Sequence, residues 1–214
     1  IIGVISLTGI GYKFINVITA LAGSNLLLLM SMLMVTCIIL GMGVPTAPAY
    51  IIVATLGAPA LMKAGVPIIA AHMFVYFYAI LSVITPPVCL AAFAGAAIAE
   101  TNAMKTGVTA MKLGIVAFII PFMFVFEPAL LMQGSTTEIV TAFASALVGV
   151  IGVASGMQNW LLVRCRLWER ALLLASGLML IFPGLITDTI GLSSLLIVLF
   201  AQRLRRSGSP VAAA

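Results

Sequence analysis

Gly41, Gly43, Pro45 and Thr46 stand close together in GMGVPTAPAY at 41–50, and Ser82, Thr85, Pro86 and Pro87 in SVITPPVC at 82–89. The first group lies in a charge-free run from 14 to 62, the second in an apolar run from 68 to 99. Helix cannot pass unbroken through either, because proline lacks a backbone N–H and blocks the preceding turn. A break in a lipid-embedded segment frees N–H and C=O groups, and it is tolerated only where it is buried in protein or lines a cavity. Carbonyls ending one half-helix attract cations, and N–H groups opening the next attract carboxylates.

In the first break the carbonyls of Leu40, Gly41 and Gly43 can face a cation. Thr46 can add a hydroxyl, as a ligand or as N-cap of the returning half-helix. In the second, Ser82 and Thr85 with the carbonyls of Val83 and Ile84 make an equivalent set. Neutral oxygen ligands suit a hard cation such as Na⁺. No Asp or Glu adjoins either break in sequence, which argues against a proton relay. A single proline-rich break reads as a packing kink, but two neighbouring breaks that both carry hydroxyls favour a binding site.

The chain that must hold these groups is 64% hydrophobic and 7% charged, with mean hydropathy +1.31. Soluble domains carry roughly 25% charged residues, so this is an all-α polytopic membrane protein. Its 214 residues leave room for several spans or half-spans, about six to eight at roughly 20 residues per full crossing. The net charge of +5 comes from basic residues scattered at the flanks of apolar runs, which excludes nucleic acid as a partner. Cys37, Cys89 and Cys165 show no metal or disulfide spacing and read as small packing residues. No intramembrane Asp pair, His-Glu-x-x-His or Gly-x-Ser-x-Gly pattern offers the acid, base or nucleophile of an enzyme. No cofactor is indicated beyond Na⁺.

The chain opens on Ile1 without an initiator methionine or signal sequence and reads as a fragment of a longer protein. Residues 1–24 are expected to end an upstream helix and form an interfacial arm bearing Lys13. Residues 25–99 divide into a re-entrant helical hairpin, 25–62, and a discontinuous helix, 68–99. Residues 100–131 supply a second interfacial arm, ETNAMKTGVTAMK, and a span from about 113 to 131. Residues 132–214 hold further spans at about 139–162, 171–186 and 192–202, with a basic tail from Arg203 that ends small and flexible. The arginines at 164, 166, 170, 203, 205 and 206 mark cytoplasmic loops, so the chain between them turns outside near 187–191, with Asp188 external. Lys13 and Lys63 are exceptions to that topology.

Other residues have plainer readings. His72 is expected to pack or cap at an interface, and Phe74, Tyr76, Phe77 and Tyr78 to form an interfacial belt. Glu127 with Pro128 marks a span end. Trp160 and Trp168 read as interfacial anchors beside arginines that attract anionic membrane lipids.

The tip GMGVPTAPAY, the segment AILSVITPPVCLAAFAGAAIA at 79–99, the arm ETNAMKTGVTAMKLG and the span IVAFIIPFMFVFEPALL together resemble the large membrane subunit of tripartite ATP-independent periplasmic (TRAP) transporters, in particular the fused permeases. The resemblance covers about residues 26–131. It implies an elevator-type permease of the ion-transporter-superfamily kind, in a bacterial or archaeal cytoplasmic (inner) membrane, importing carboxylate solutes by sodium symport. It also implies a periplasmic solute-binding receptor as partner. By motif, Gly41, Gly43, Pro45, Thr46, Ser82, Thr85, Pro86 and Pro87 would form half of the substrate and sodium site. The inverted half would belong to the remaining N-terminal half of the permease, so this chain alone is not expected to transport. A non-transporting membrane scaffold or assembly subunit is the contrasting expectation.

Overall fold

The structure, a computed structural model, describes residues 8, 10–182 and 184–207. The described residues are helical, without a strand, and belong to two compact units that meet in sequence at Phe126 and Glu127. The expected apolar stub at 1–10 and the small end of the tail at 208–214 fall almost wholly outside the described residues.

In the first unit α1 (Ile10–Ala22) keeps Lys13 exposed and turns Ile18 and Ala22 inward. Asn25 caps α2 (Leu26–Gly41) by accepting the Leu28 N–H at 3.1 Å. The chain turns at 42–45 and returns as α3 (Thr46–Lys63), so the two helices form the expected hairpin. At 16 residues α2 is about 24 Å long, short of the roughly 30 Å hydrocarbon core. The next element, α4 (Ile68–Leu81), packs on α2, α3 and α7 (Ile120–Phe126) and is the centre of this unit.

Close packing of α4 comes from Ala70, Ala71 and Ala79, all buried, which let neighbouring backbones approach. Phe74 and Tyr78 are fully buried, stacked edge to face at 4.8 Å, and Phe74 meets Phe122 of α7 at 5.5 Å. The Tyr78 hydroxyl donates to the Phe118 carbonyl at 2.6 Å. An interfacial belt is therefore the wrong reading for these two aromatics; they are the core that ties α4 to α7. Tyr76, on the opposite side of α4, is exposed.

The run 68–99 breaks as expected, with a 3₁₀ turn (Ser82–Ile84) after α4 and then α5 (Leu90–Ile98). Asn102 caps α6 (Ala103–Leu113), the amphipathic arm, by accepting the Lys105 N–H at 3.0 Å. The span expected at about 113–131 is not one continuous helix. It consists of a 3₁₀ turn (Ile115–Phe118), the short α7 and a second 3₁₀ turn (Pro128–Leu131), with α6 bent 65° from the segment that follows. Gly114 at the bend and prolines at 121 and 128 account for the interruption.

The second unit contains α8 (Thr136–Gln158), α9 (Leu167–Ile181) and α10 (Leu185–Ser207), with α9 packed on both others. Ser135 and Glu138 form a reciprocal capping box at the start of α8, and Asn159, in the left-handed region at φ 60°, ends it. Seams of small residues bring the helices together: a methyl added at Gly177 would stand 2.6 Å from the Val153 nitrogen and 2.7 Å from the Gly149 carbonyl oxygen. Among the described residues, two helices are long and apolar enough to cross a membrane, Thr136–Gln158 and Ile186–Arg205, with a third crossing if the bent segment from α6 counts as one.

Two expectations for this unit change. Helix ends at Ile181 and resumes at Leu185, ahead of the turn expected at 187–191, so Asp188 sits in the first turn of α10, where it accepts from Ser145 of α8. The basic stretch from Arg203 is the last turn of α10 rather than a tail, and the Arg205 side chain fastens that helix to the loop before α9. Glu169, buried in the first turn of α9 ahead of the apolar stretch, is the anchor. It accepts from the Arg166 N–H at 2.8 Å and from Gln202 at 2.9 Å, and pairs with Arg205 at 3.1 Å. Gln202 also accepts from the Leu162 N–H at 3.0 Å.

Gly177→Ala is expected to destabilise the protein by about 1–3 kcal/mol, since the methyl would meet backbone that cannot yield. Thermal unfolding in detergent measures it. Burial alone would raise the Glu169 pKa, but the Arg166 N–H, the Gln202 amide and the Arg205 guanidinium outweigh that and hold it below the ordinary carboxylate range. A carboxyl depressed on folding contributes stability that is fully present above its unfolded pKa, about 4.3 for Glu, and is lost as pH falls through the folded value. Acid unfolding of the wild type should therefore show a stability loss below pH ~4.3 that is smaller in Glu169→Gln.

Candidate functional site

The tip of the hairpin is built by glycine and proline acting in sequence. α2 ends at Gly41, the Met42 N–H bonds the Ile39 carbonyl at 3.4 Å, and the Val44 N–H bonds the Gly41 carbonyl at 3.3 Å. Gly43 takes φ +76°, a conformation that glycine adopts without the Cβ penalty. Pro45, extended at φ −57° and ψ 150°, is the N-cap of α3 and makes no side-chain cap bond. That places Thr46 inside the helix at its first position, which corrects its reading as N-cap. Its half-buried hydroxyl forms no hydrogen bond among the described residues.

The second break is more enclosed. Ser82 is fully buried and Thr85 nearly so. The Ser82 hydroxyl donates to the Ala79 carbonyl, and the Thr85 hydroxyl to the Leu81 carbonyl, each at 2.6 Å. Both hydroxyl protons are thus spent on the carbonyls that end α4. Each oxygen keeps lone pairs for another partner, the state in which a neutral hydroxyl can ligate a cation. Thr85 is extended, the Pro86–Pro87 bond is cis, and α5 starts after Cys89.

The two breaks meet. A methyl added at Gly41 would stand 2.6 Å from Ser82 Oγ and 2.9 Å from Ser82 Cβ, so Ser82 fills the space that a side chain at 41 would need. Gly43 lies over Val88, 3.6 Å from its Cγ1 by the same measure. The carbonyl ends of α2 and α4, each carrying partial negative charge, are therefore brought to the same place. Of the expected residues, Gly41, Gly43, Ser82 and Thr85 belong to this junction. Pro86 is half-buried and turned toward α6, its Cγ 3.7 Å from a methyl placed on Gly107, and Pro87 and Pro45 are exposed.

The break also takes support from α6, which no motif in the sequence marks. Gly107 faces Cys89 in direct contact, and a methyl on Gly114 would stand 2.9 Å from the Ile84 side chain. The only signal for this was a glycine in the middle of an otherwise favourable amphipathic helix. His72 hydrogen-bonds Tyr50 of α3 through Nδ1 at 2.9 Å, and Tyr50 stacks edge to face on Tyr76 at 5.5 Å. This is the packing role expected for the histidine, tying α4 to the returning arm of the hairpin.

A family model described as tripartite ATP-independent periplasmic transporter, DctM component, matches residues 1–139. A second, described as a domain of unknown function (DUF3394), matches residues 139–194. No curated protein and no solved structure matches the chain.

Gly41→Ala forces its methyl against Ser82, which has to leave its rotamer or push the two breaks apart. A stability loss of about 1–3 kcal/mol is expected. In the double variant Gly41→Ala with Ser82→Gly much of that loss is recovered, and thermal unfolding of the four proteins of this cycle measures the coupling.

Proposed function

Because the chain belongs to the DctM component family of tripartite ATP-independent periplasmic transporters, we propose that its junction of tip and broken helix is one half of a sodium and carboxylate site in a membrane permease. The observation that carries the reading is the meeting of Gly41 with Ser82. It joins two helix C-termini and two hydroxyls whose protons already point at helix carbonyls. Such a group offers oxygen lone pairs and partial negative charge without a formal charge, which suits Na⁺. The opening turns of α3 and α5, which begin beside it, offer N–H groups to a carboxylate.

In this reading the hairpin α2–α3 is re-entrant and moves with α4 and α5 as a transport body in the cytoplasmic membrane. The driving force is inward sodium flow, and the solute is an organic acid presented by a periplasmic solute-binding receptor. Thr46, whose hydroxyl has no partner of its own, is the ligand most open to a newly arriving ion or solute.

The test is uptake into vesicles by the permease that carries this chain, with receptor and a carboxylate substrate supplied and the sodium gradient varied. Thr46→Ala and Thr85→Ala are expected to raise the sodium concentration for half-maximal uptake about tenfold, on the scale by which losing a site partner weakens metal sites. Uptake that is indifferent to Na⁺ removes the coupling, and unchanged sodium dependence in both variants removes these ligands.

A further inference from the structure

The end of the second unit where α8 finishes, α9 begins and α10 finishes gathers six arginines, at 164, 166, 170, 203, 205 and 206, with Glu169 as its one acidic residue. Two of the six are committed internally. Arg205 is held by Glu169 and by the Arg164 carbonyl at 2.8 Å, and Arg170 donates to the Gly156 carbonyl at 3.0 Å. The exposed Arg164, Arg166 and Arg203 form no side-chain hydrogen bond or ion pair among the described residues. Interleaved with them are apolar groups facing outward: Leu167 is 84% exposed, Leu204 62%, Trp160 59% and Trp168 44%.

We propose that this end binds the headgroups of anionic phospholipids, with Arg164, Arg166 and Arg203 pairing with phosphates while Trp160, Trp168, Leu167 and Leu204 enter the interfacial and acyl region. Unpaired guanidinium groups alone would suit any acidic partner. Their alternation with exposed indoles and leucines, at the ends of helices long enough to span a bilayer, selects a lipid surface. The shared anchor fixes the geometry: Glu169, Gln202 and Arg205 lock the 159–166 loop onto α10, so the free arginines are presented from one rigid end. The inference does not depend on the sodium reading, because every residue in it lies outside the first unit.

Trp160 and Trp168 are the chain's two tryptophans, so its indole fluorescence reports from this end. The permease that carries this chain, with any tryptophan outside it replaced by phenylalanine, is reconstituted in phosphatidylcholine bilayers containing brominated phosphatidylglycerol or, separately, brominated phosphatidylcholine, and quenching gives the relative affinity. A basic residue near an anionic surface contributes roughly a fivefold factor. The wild type is therefore expected to prefer phosphatidylglycerol by about fivefold or more in low salt. At 1 M salt, where the Debye length is about 3 Å, the preference should collapse. The triple variant Arg164→Gln, Arg166→Gln, Arg203→Gln is expected to show no preference, while the triple Lys variant, retaining charge, keeps it. Equal quenching by the two lipids in the wild type overturns the proposal, as does a preference that survives the triple Gln variant with its helical circular dichroism intact.

Discussion

A peptide group that leaves helical geometry inside an apolar segment must find another partner, and the first unit is arranged around meeting that demand at two places at once. The turn at 42–45 satisfies two of its N–H groups on Ile39 and Gly41. The break after Leu81 satisfies carbonyls with its own serine and threonine hydroxyls. Neither break stands alone, because Gly41 lies directly against Ser82. With the hairpin seated there, α4 runs back packed against both α2 and α3, and its buried face is lined by alanine and by the two fully buried aromatics. The arm α6 then closes over the far side of the break through glycine.

The second unit solves a different problem. Its helices carry no proline between Thr136 and Gln158, and their seam is built from glycines at 149, 152, 156 and 177. Among the described residues, the side-chain polar contacts between different elements gather toward the two ends. At one, Ser145 bonds the Leu180 carbonyl and Asp188; at the other, Glu169 gathers Arg166, Gln202 and Arg205. Dispersion along the middle and hydrogen bonds at the ends is the arrangement expected where lipid supplies no hydrophobic drive between helices. The two matching family models divide the sequence at residue 139, close to where the units meet.

What the sequence disclosed follows from how locally each feature is encoded. Both breaks were legible because proline and glycine act on their own backbone, so the ends of α2, α3, α4 and α5 fell close to the expected places. Which residues meet across the breaks was not legible: the fit of Ser82 into the gap at Gly41 depends on two segments about forty residues apart. The aromatics at 74 and 78 misled for a related reason. A one-turn spacing of large rings on an apolar helix is the same whether the stripe faces lipid headgroups or α7, and only the partner Phe122 decides it. Asp188 and Arg203 looked like loop and tail because charge usually marks the end of a span, whereas here Ser145 and the 159–166 loop give α10 partners for its polar ends.

The fit of Ser82 into the space above Gly41 also links the history of the two positions. They share one small volume, so it can be occupied from either side but not from both. A larger residue at 41 costs this fold least once 82 has lost its side chain, and with it a hydroxyl from the junction. Drift at the tip is thus channelled toward residues that do not crowd the break.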